Sequence, residues 1–265
     1  MIAEDFQEKH GVAAAVINKP GGGGGPFPGA IDVATADADG YTVGSFVIAV
    51  PAIGHNIGIP ELAPEKFDPL GIFLTYPFVL VASKDAPYSS MAELGEHAKS
   101  NKIVLGHFGA PLPPTRATMA FAKNAGFEWG SDAAFDMLDC NTLSSGDADV
   151  INTTLQLVMP CLDDVQVLAS ITDERIALLP ETPTLGELDP ELNLALWNGL
   201  FVRKETPADA REKLIESAKA TIMSERAEEF AANTGALLYW QDAEASAARI
   251  VKDRETLGKI NAILE

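Results

Sequence analysis

The chain of 265 residues is short of positive charge: 19 Lys and Arg stand against 38 Asp and Glu, for a net charge of −19. A surface of that sign repels nucleic acid and anionic membranes at long range, so neither is expected as a partner. Long apolar runs are also missing. The longest, such as "FVIAV" at 46–50 and "FVLVA" at 78–82, are strand-sized and fall well below the ~18 residues of a membrane span. Direct membrane insertion is therefore not expected. The opening "MIAEDFQEKHG" has no basic n-region and no apolar h-region, so it does not read as a signal peptide. It reads as the body of an amphipathic helix, cut at its front.

Metal and redox chemistry lack their signatures. There are two cysteines, Cys140 and Cys161, and they have neither CxxC nor zinc-finger spacing. They read as two buried thiols, with a disulfide left open for an exported protein. The four histidines, His10, His55, His97 and His107, form no HExxH motif and no i, i+4 pair. No metal and no cofactor is called for. His10 and His97 fall in helical segments and read as solvent-facing. Catalytic motifs are absent too: there is no G-x-S-x-G elbow, and Ser45 reads as a strand residue. Acidic pairs such as Asp163-Asp164 read as solvated surface. The expectation is a protein that is not an enzyme.

What is present is apolar material enough for a core, at 47% hydrophobic residues. Five glycines in a row, Gly21 to Gly25, follow a short strand expected over 12–18 and precede a small helix expected over 30–36. That layout resembles a phosphate-cradling loop. No register fits the dinucleotide fingerprint, because Pro26, Phe27 or Pro28 stands where the third glycine must be. A P-loop is excluded as well, since the nearest lysine, Lys19, precedes the glycines. The run reads as a turn bracketed closely by a strand and a helix.

Further strands are expected in 39–50 and over 78–83, 102–106, 148–152, 165–170, 196–202 and 236–240. Helices are expected after Ser90, whose capping box includes Glu93, and over 114–125, where Pro114 starts the helix and Gly126 stops it. Thr206-Pro207, Ser224 and Asp242 open three more. Alternating strands and helices imply an α/β fold with mostly parallel sheets. His107 stands out, because it lies where a strand runs into a glycine-containing loop before a helix. Open α/β sheets bind ligands at that position.

Several segments, taken in order, resemble a known family. "NKPGGGGGPFPGAIDVATADADGYT" is similar to an "N-R-P-G-A-G-G-N-x-G" loop, short helix and "P-D-G-Y-T" turn. "KIVLGHFGAPLPPTRATMAFAK" resembles a strand, "S-S-G" loop and "P-T-H" helix start. "SSGDADVINTTL" resembles a "G-G-x-V-D-V" strand, and "TDERIALLPETPTLGEL" and "LWNGLFVRKETP" match two further runs. The family is the substrate-binding proteins of tripartite tricarboxylate transporters, which are bacterial periplasmic solute receptors.

The resemblance implies a two-domain periplasmic binding protein of type II-like architecture. Domain one would span 1–82 and 198–265 and domain two 83–197, with an interdomain ligand cleft that closes by a hinge. It implies a small organic carboxylate as ligand, a membrane permease as partner and a periplasmic location. The ligand-binding residues it implies are Val47, Ile48 and Ala49 after the "GYT" turn; His107, Phe108 and Gly109; Thr115 and Arg116; and Thr153 and Thr154. Against the family pattern, the chain starts inside the first helix, "S-S-G" has become His107-Phe108-Gly109, and "D-N" has become Thr153-Thr154. The last two changes imply a ligand unlike the family's usual ones, more aromatic or more anionic. The alternative reading is a truncated or sensory ligand-binding module without a transport role.

Overall fold

The structure, a computed structural model, describes residues 1–19 and 25–265. The expected glycine turn, apart from Gly25, lies outside the described residues. The chain forms two compact units, one from Met1–Thr75 and Trp197–Arg254, the other from Tyr76–Leu196 and Glu255–Glu265.

The first unit holds helices α1 (Ile2–His10), α2 (Phe27–Thr35) and α3 (Ala49–Ile53) and strands β1 (Gly44–Val47) and β2 (Phe67–Thr75). In the second unit are β3 (Phe78–Ser83), α4 (Met91–Ala98), β4 (Val104–His107), α5 (Pro113–Asn124) and β5 (Ser131–Ala134). It continues through α6 (Cys140–Ser144), β6 (Val150–Thr154), α7 (Leu155–Val158), β7 (Val165–Ser170) and α8 (Leu185–Leu188). The chain then returns to the first unit with β8 (Trp197–Arg203), α9 (Ala208–Ile222), α10 (Glu225–Thr234), β9 (Leu237–Gln241) and α11 (Ala243–Leu264). Residues of α11 beyond Arg254 belong to the second unit.

Local chemistry accounts for the element ends. Ser90 caps α4 by accepting from the Glu93 amide at 3.2 Å. The Glu93 carboxylate reaches past Ser90 to the Ser89 amide and hydroxyl. Those two bonds, the backbone one first, hold its carboxyl below the usual range. Ser224 caps α10, and Gly235 ends it at φ 71, a left-handed conformation that costs glycine little. Asp242 caps α11 by accepting from the Ala245 amide.

The α/β class is as expected, but strand direction differs. In the first unit the order is β1-β8-β2-β9, and every neighbouring pair is antiparallel. The second sheet, β5-β4-β6-β3-β7, is mixed: β4 runs parallel to β5 and β6, whereas β3 is antiparallel to β6 and β7. The reason is connectivity. Parallel neighbours need a crossover, usually a helix. In the second unit α5 and α6 supply such crossovers, whereas β2 and β8 are separated by the whole of the other unit.

Two other expectations fail. Residues 12–18 form no strand; Val16 and Ile17 are 74% and 76% exposed, and the short apolar run has no sheet neighbour among the described residues. His10 is not solvent-facing, because its Nε2 bonds the Ser217 hydroxyl at 2.8 Å and so joins α1 to α9.

The second unit's core gathers Val79 and Val81 of β3, Ile151 of β6, and Leu138, Leu155 and Val158. Burying each of these side chains contributes roughly 1.5–3 kcal/mol. Beside this cluster Cys140 and Cys161 are joined in a disulfide, so the reading as two thiols is corrected. Spacing alone could not decide it: the cysteines lie 21 residues apart in sequence, and the β6 strand and α7 turn bring their Cα atoms to 6.0 Å. Closing a loop of that length restricts the unfolded chain and is worth about 3 kcal/mol. Reduction with a thiol should therefore lower the urea midpoint by that equivalent. An unchanged midpoint would contradict a contribution from this bond.

Candidate functional site

The carboxyl ends of β4 and β6 and the start of α5 meet in the second unit, and seven of the ten expected residues lie there. The geometry starts with β4. Period-two alternation puts Leu105 and His107 on one face, and the parallel register sets Leu105 opposite Asp132 of β5. Asp132 is thus the diagonal neighbour of His107, and their side chains bond at 2.8 Å. The Gly109 amide donates to His107 Nδ1 at 3.0 Å. With Nδ1 accepting, Nε2 carries the proton and donates to Asp132. His107 is 2% exposed, and both ring nitrogens are committed within the protein. Its work is to hold the loop after β4. Phe108 packs into the core beside β3, edge-on to Phe78 at 6.3 Å.

The loop delivers α5. The Leu112 amide bonds the Gly109 carbonyl, and Pro113 and Pro114 have no N–H to offer. The first N–H inside the helix is therefore that of Thr115, since the Arg116 amide already bonds the Leu112 carbonyl at 3.0 Å. Thr115 is 1% exposed, and its hydroxyl makes no hydrogen bond among the described residues. Next to it, half-buried Arg116 donates Nε to Asn261 Oδ1 at 2.8 Å. It forms no ion pair among the described residues. An uncompensated guanidinium at a helix N-terminus, where the helix dipole already favours negative charge, is an anion-selective arrangement.

Behind this turn stands Asn152 of β6, which the sequence reading missed. It is 1% exposed, and its Nδ2 donates to the Pro114 carbonyl at 3.0 Å and to Thr118 Oγ1 at 2.6 Å. Thr118 itself donates to the same carbonyl. Asn152 Oδ1 has no partner among the described residues. Its neighbour Thr153 is fully buried and donates to the Leu138 carbonyl at 2.7 Å, so its hydroxyl is spent on the fold. Thr154 stands at the end of β6, half-buried, with a side chain that caps nothing.

The other three expected residues belong to the first unit. Val47 ends β1, and buried Ile48 and Ala49 lead into α3. Their side chains are apolar, so the polar groups there are backbone ones. The Ile48 amide is taken by the Trp197 carbonyl.

Among the described residues there is no cluster of three or more His, Cys, Asp or Glu able to hold a metal. No helix among them is long and apolar enough to cross a membrane.

The fold is thus two α/β units, one with an antiparallel and one with a mixed sheet, and in the second polar groups gather where parallel strands run into a helix. Residues 1–265 match the family described as tripartite tricarboxylate transporter family receptor, and the chain belongs to it. It is 28% identical over 266 residues to the UPF0065 protein in the TAR-I ttuE-ttuC' intergenic region of Agrobacterium vitis, covering 94% of this chain and 73% of that one. The fold is similar to R. palustris Rpa4515 with adipate, at TM-score 0.85 and 21% identity over 99% of this chain and 90% of that one. It is also similar to MatC (Rpa3494) from Rhodopseudomonas palustris with bound malate, at TM-score 0.80 and 20% identity over 100% and 92%.

Asn152 anchors the first turn of α5 from within the core. Replacing it with alanine leaves buried groups without their donor, so Asn152→Ala should lower stability by about 1–3 kcal/mol. Urea denaturation checks this; a variant as stable as the parent would remove Asn152 from the account.

Proposed function

We propose that this chain is an extracytoplasmic receptor that captures a small organic carboxylate and delivers it to the membrane permease of a tripartite tricarboxylate-type transporter. The observation that carries the reading is the pairing of Arg116, a cation without an acidic partner among the described residues, with the unpartnered hydroxyl of Thr115 at the head of α5. One carboxylate oxygen is received by the guanidinium through its Nη groups, while Nε stays on Asn261. The other takes the Thr115 hydroxyl and amide. Thr154, at the end of β6, supplies a further hydroxyl. Gly109 and Phe108 shape the loop, and His107 and Thr153 position it rather than touch the ligand. In the first unit, Val47, Ile48 and Ala49 are proposed to serve a ligand through the backbone amide of Ala49, which has no partner among the described residues.

Family membership supports the transport role, and adipate and malate bound to proteins of the same fold support a carboxylate ligand. The disulfide supports a periplasmic location, because such bonds persist in oxidising compartments. The net charge of −19 is no obstacle, since a guanidinium and a helix N-terminus act locally.

Isothermal titration with adipate and malate tests the reading. At least one should bind saturably, and Arg116→Gln should weaken it by about 10- to 100-fold, the equivalent of a hydrogen bond to a charged group. If neither acid, nor any in a wider panel of carboxylates, gave heat or a thermal shift at millimolar concentration, the proposal would be abandoned.

A further inference from the structure

The second unit has another concave site, at the opposite edge of its sheet. β4 and β6 run parallel and β3 runs against them, so the end of β3 and the starts of β4 and β6 lie together. They are separated from His107 and Thr154 by the length of the strands, roughly 13 Å for the four steps from Val150 to Thr154. A cavity of about 400 Å³ opens there, and its walls include Asp85, Tyr88, His97, Asn101, Lys102 and Asp149. No residue of the carboxylate site lines it.

We propose that this cavity binds a small organic ammonium compound. Tyr88 carries the argument. It is 3% exposed and lines the cavity, yet its hydroxyl makes no hydrogen bond among the described residues. The oxygen is not sealed among protein atoms, so it is open to the cavity and to a ligand there. The Tyr88 ring lies 5.5 Å from the His97 ring, so two aromatic surfaces line the site together. His97 is half-exposed, and its Nδ1 lies 3.4 Å from the Asn101 amide nitrogen.

Charge selects the cation. Asp149 accepts the Val104 amide on Oδ2 at 2.7 Å, leaving Oδ1 for a ligand. Asp85 adds a second carboxylate against the single lysine of the wall, Lys102. Burial and, second, the Asp149 carboxylate push the Tyr88 phenol up to about 12, so it is neutral at physiological pH. An ammonium group donates to Asp149 Oδ1 and to the Tyr88 oxygen, and its alkyl part lies against the two rings, where cation–π attraction adds to the contact. The acidic surface of the chain raises the local concentration of such ligands. The inference does not depend on the carboxylate reading.

Isothermal titration of the full chain with butylammonium, with butyrate as the matched anion, tests it. Butylammonium should bind saturably in the millimolar range or tighter, and excess butyrate should not compete. Asp149→Asn, which keeps the Val104 bond, and Tyr88→Phe, which keeps the packing, should each weaken binding by about tenfold, the loss expected for one hydrogen bond to a charged group. Absence of saturable binding, competition by butyrate, or binding unchanged in both variants would overturn the proposal.

Discussion

The proposed carboxylate site depends on one electrostatic fact: Arg116 carries a positive charge that no carboxylate among the described residues neutralises. In a chain with twice as many acids as bases, a guanidinium left without an ion pair is conspicuous. Several neighbouring features are consistent with keeping it so. Its Nε is held by a neutral amide, Asn261, which fixes the side chain without cancelling its charge. Pro113 and Pro114 remove two backbone donors from the first turn of α5, so in the proposed site the guanidinium and the Thr115 hydroxyl take the part that a run of backbone amides would otherwise play.

The fold places this group through a chain of buried hydrogen bonds. His107 is clamped between Asp132 and the Gly109 amide, and that clamp sets the loop from which α5 starts. Asn152 then grips the Pro114 carbonyl from β6. Both contacts come from the central strands of the second sheet, the region where β4 runs parallel to its neighbours. The arrangement follows the general rule that open α/β sheets present ligand groups beyond the carboxyl ends of parallel strands. Elsewhere in the same unit, the antiparallel β3 brings its far end to the opposite sheet edge and helps to form the Tyr88 cavity.

Much of this was legible in the residues. The apolar runs at 78–83 and 165–170 gave strands with those bounds, because a buried strand needs continuous apolar residues. Ser90, Ser224 and Asp242 announced their helices through cap chemistry. Three things were not legible, each for a physical reason. Strand direction depends on which strands become neighbours, and the detour through the other unit decides that for β2 and β8. The disulfide depends on how β6 and α7 bring Cys161 beside Cys140. The committed state of His107 depends on Asp132, 25 residues later; only the β4–β5 register makes them neighbours, although an acidic residue near the start of the next strand was a signal that could have been followed. Thr153 and Thr154 are adjacent on β6, so alternation sends their side chains to opposite faces; Thr153 turns into the core, where its hydroxyl bonds the Leu138 carbonyl, a partner that the sequence does not disclose.

The most direct test of the account is a nitrogen-15 NMR titration of the intact chain with adipate, following the Thr115 amide and the Arg116 Nε. These two resonances should shift together and saturate with the bound fraction. Saturable binding that leaves both unmoved, with shifts confined to other parts of the chain, would contradict it.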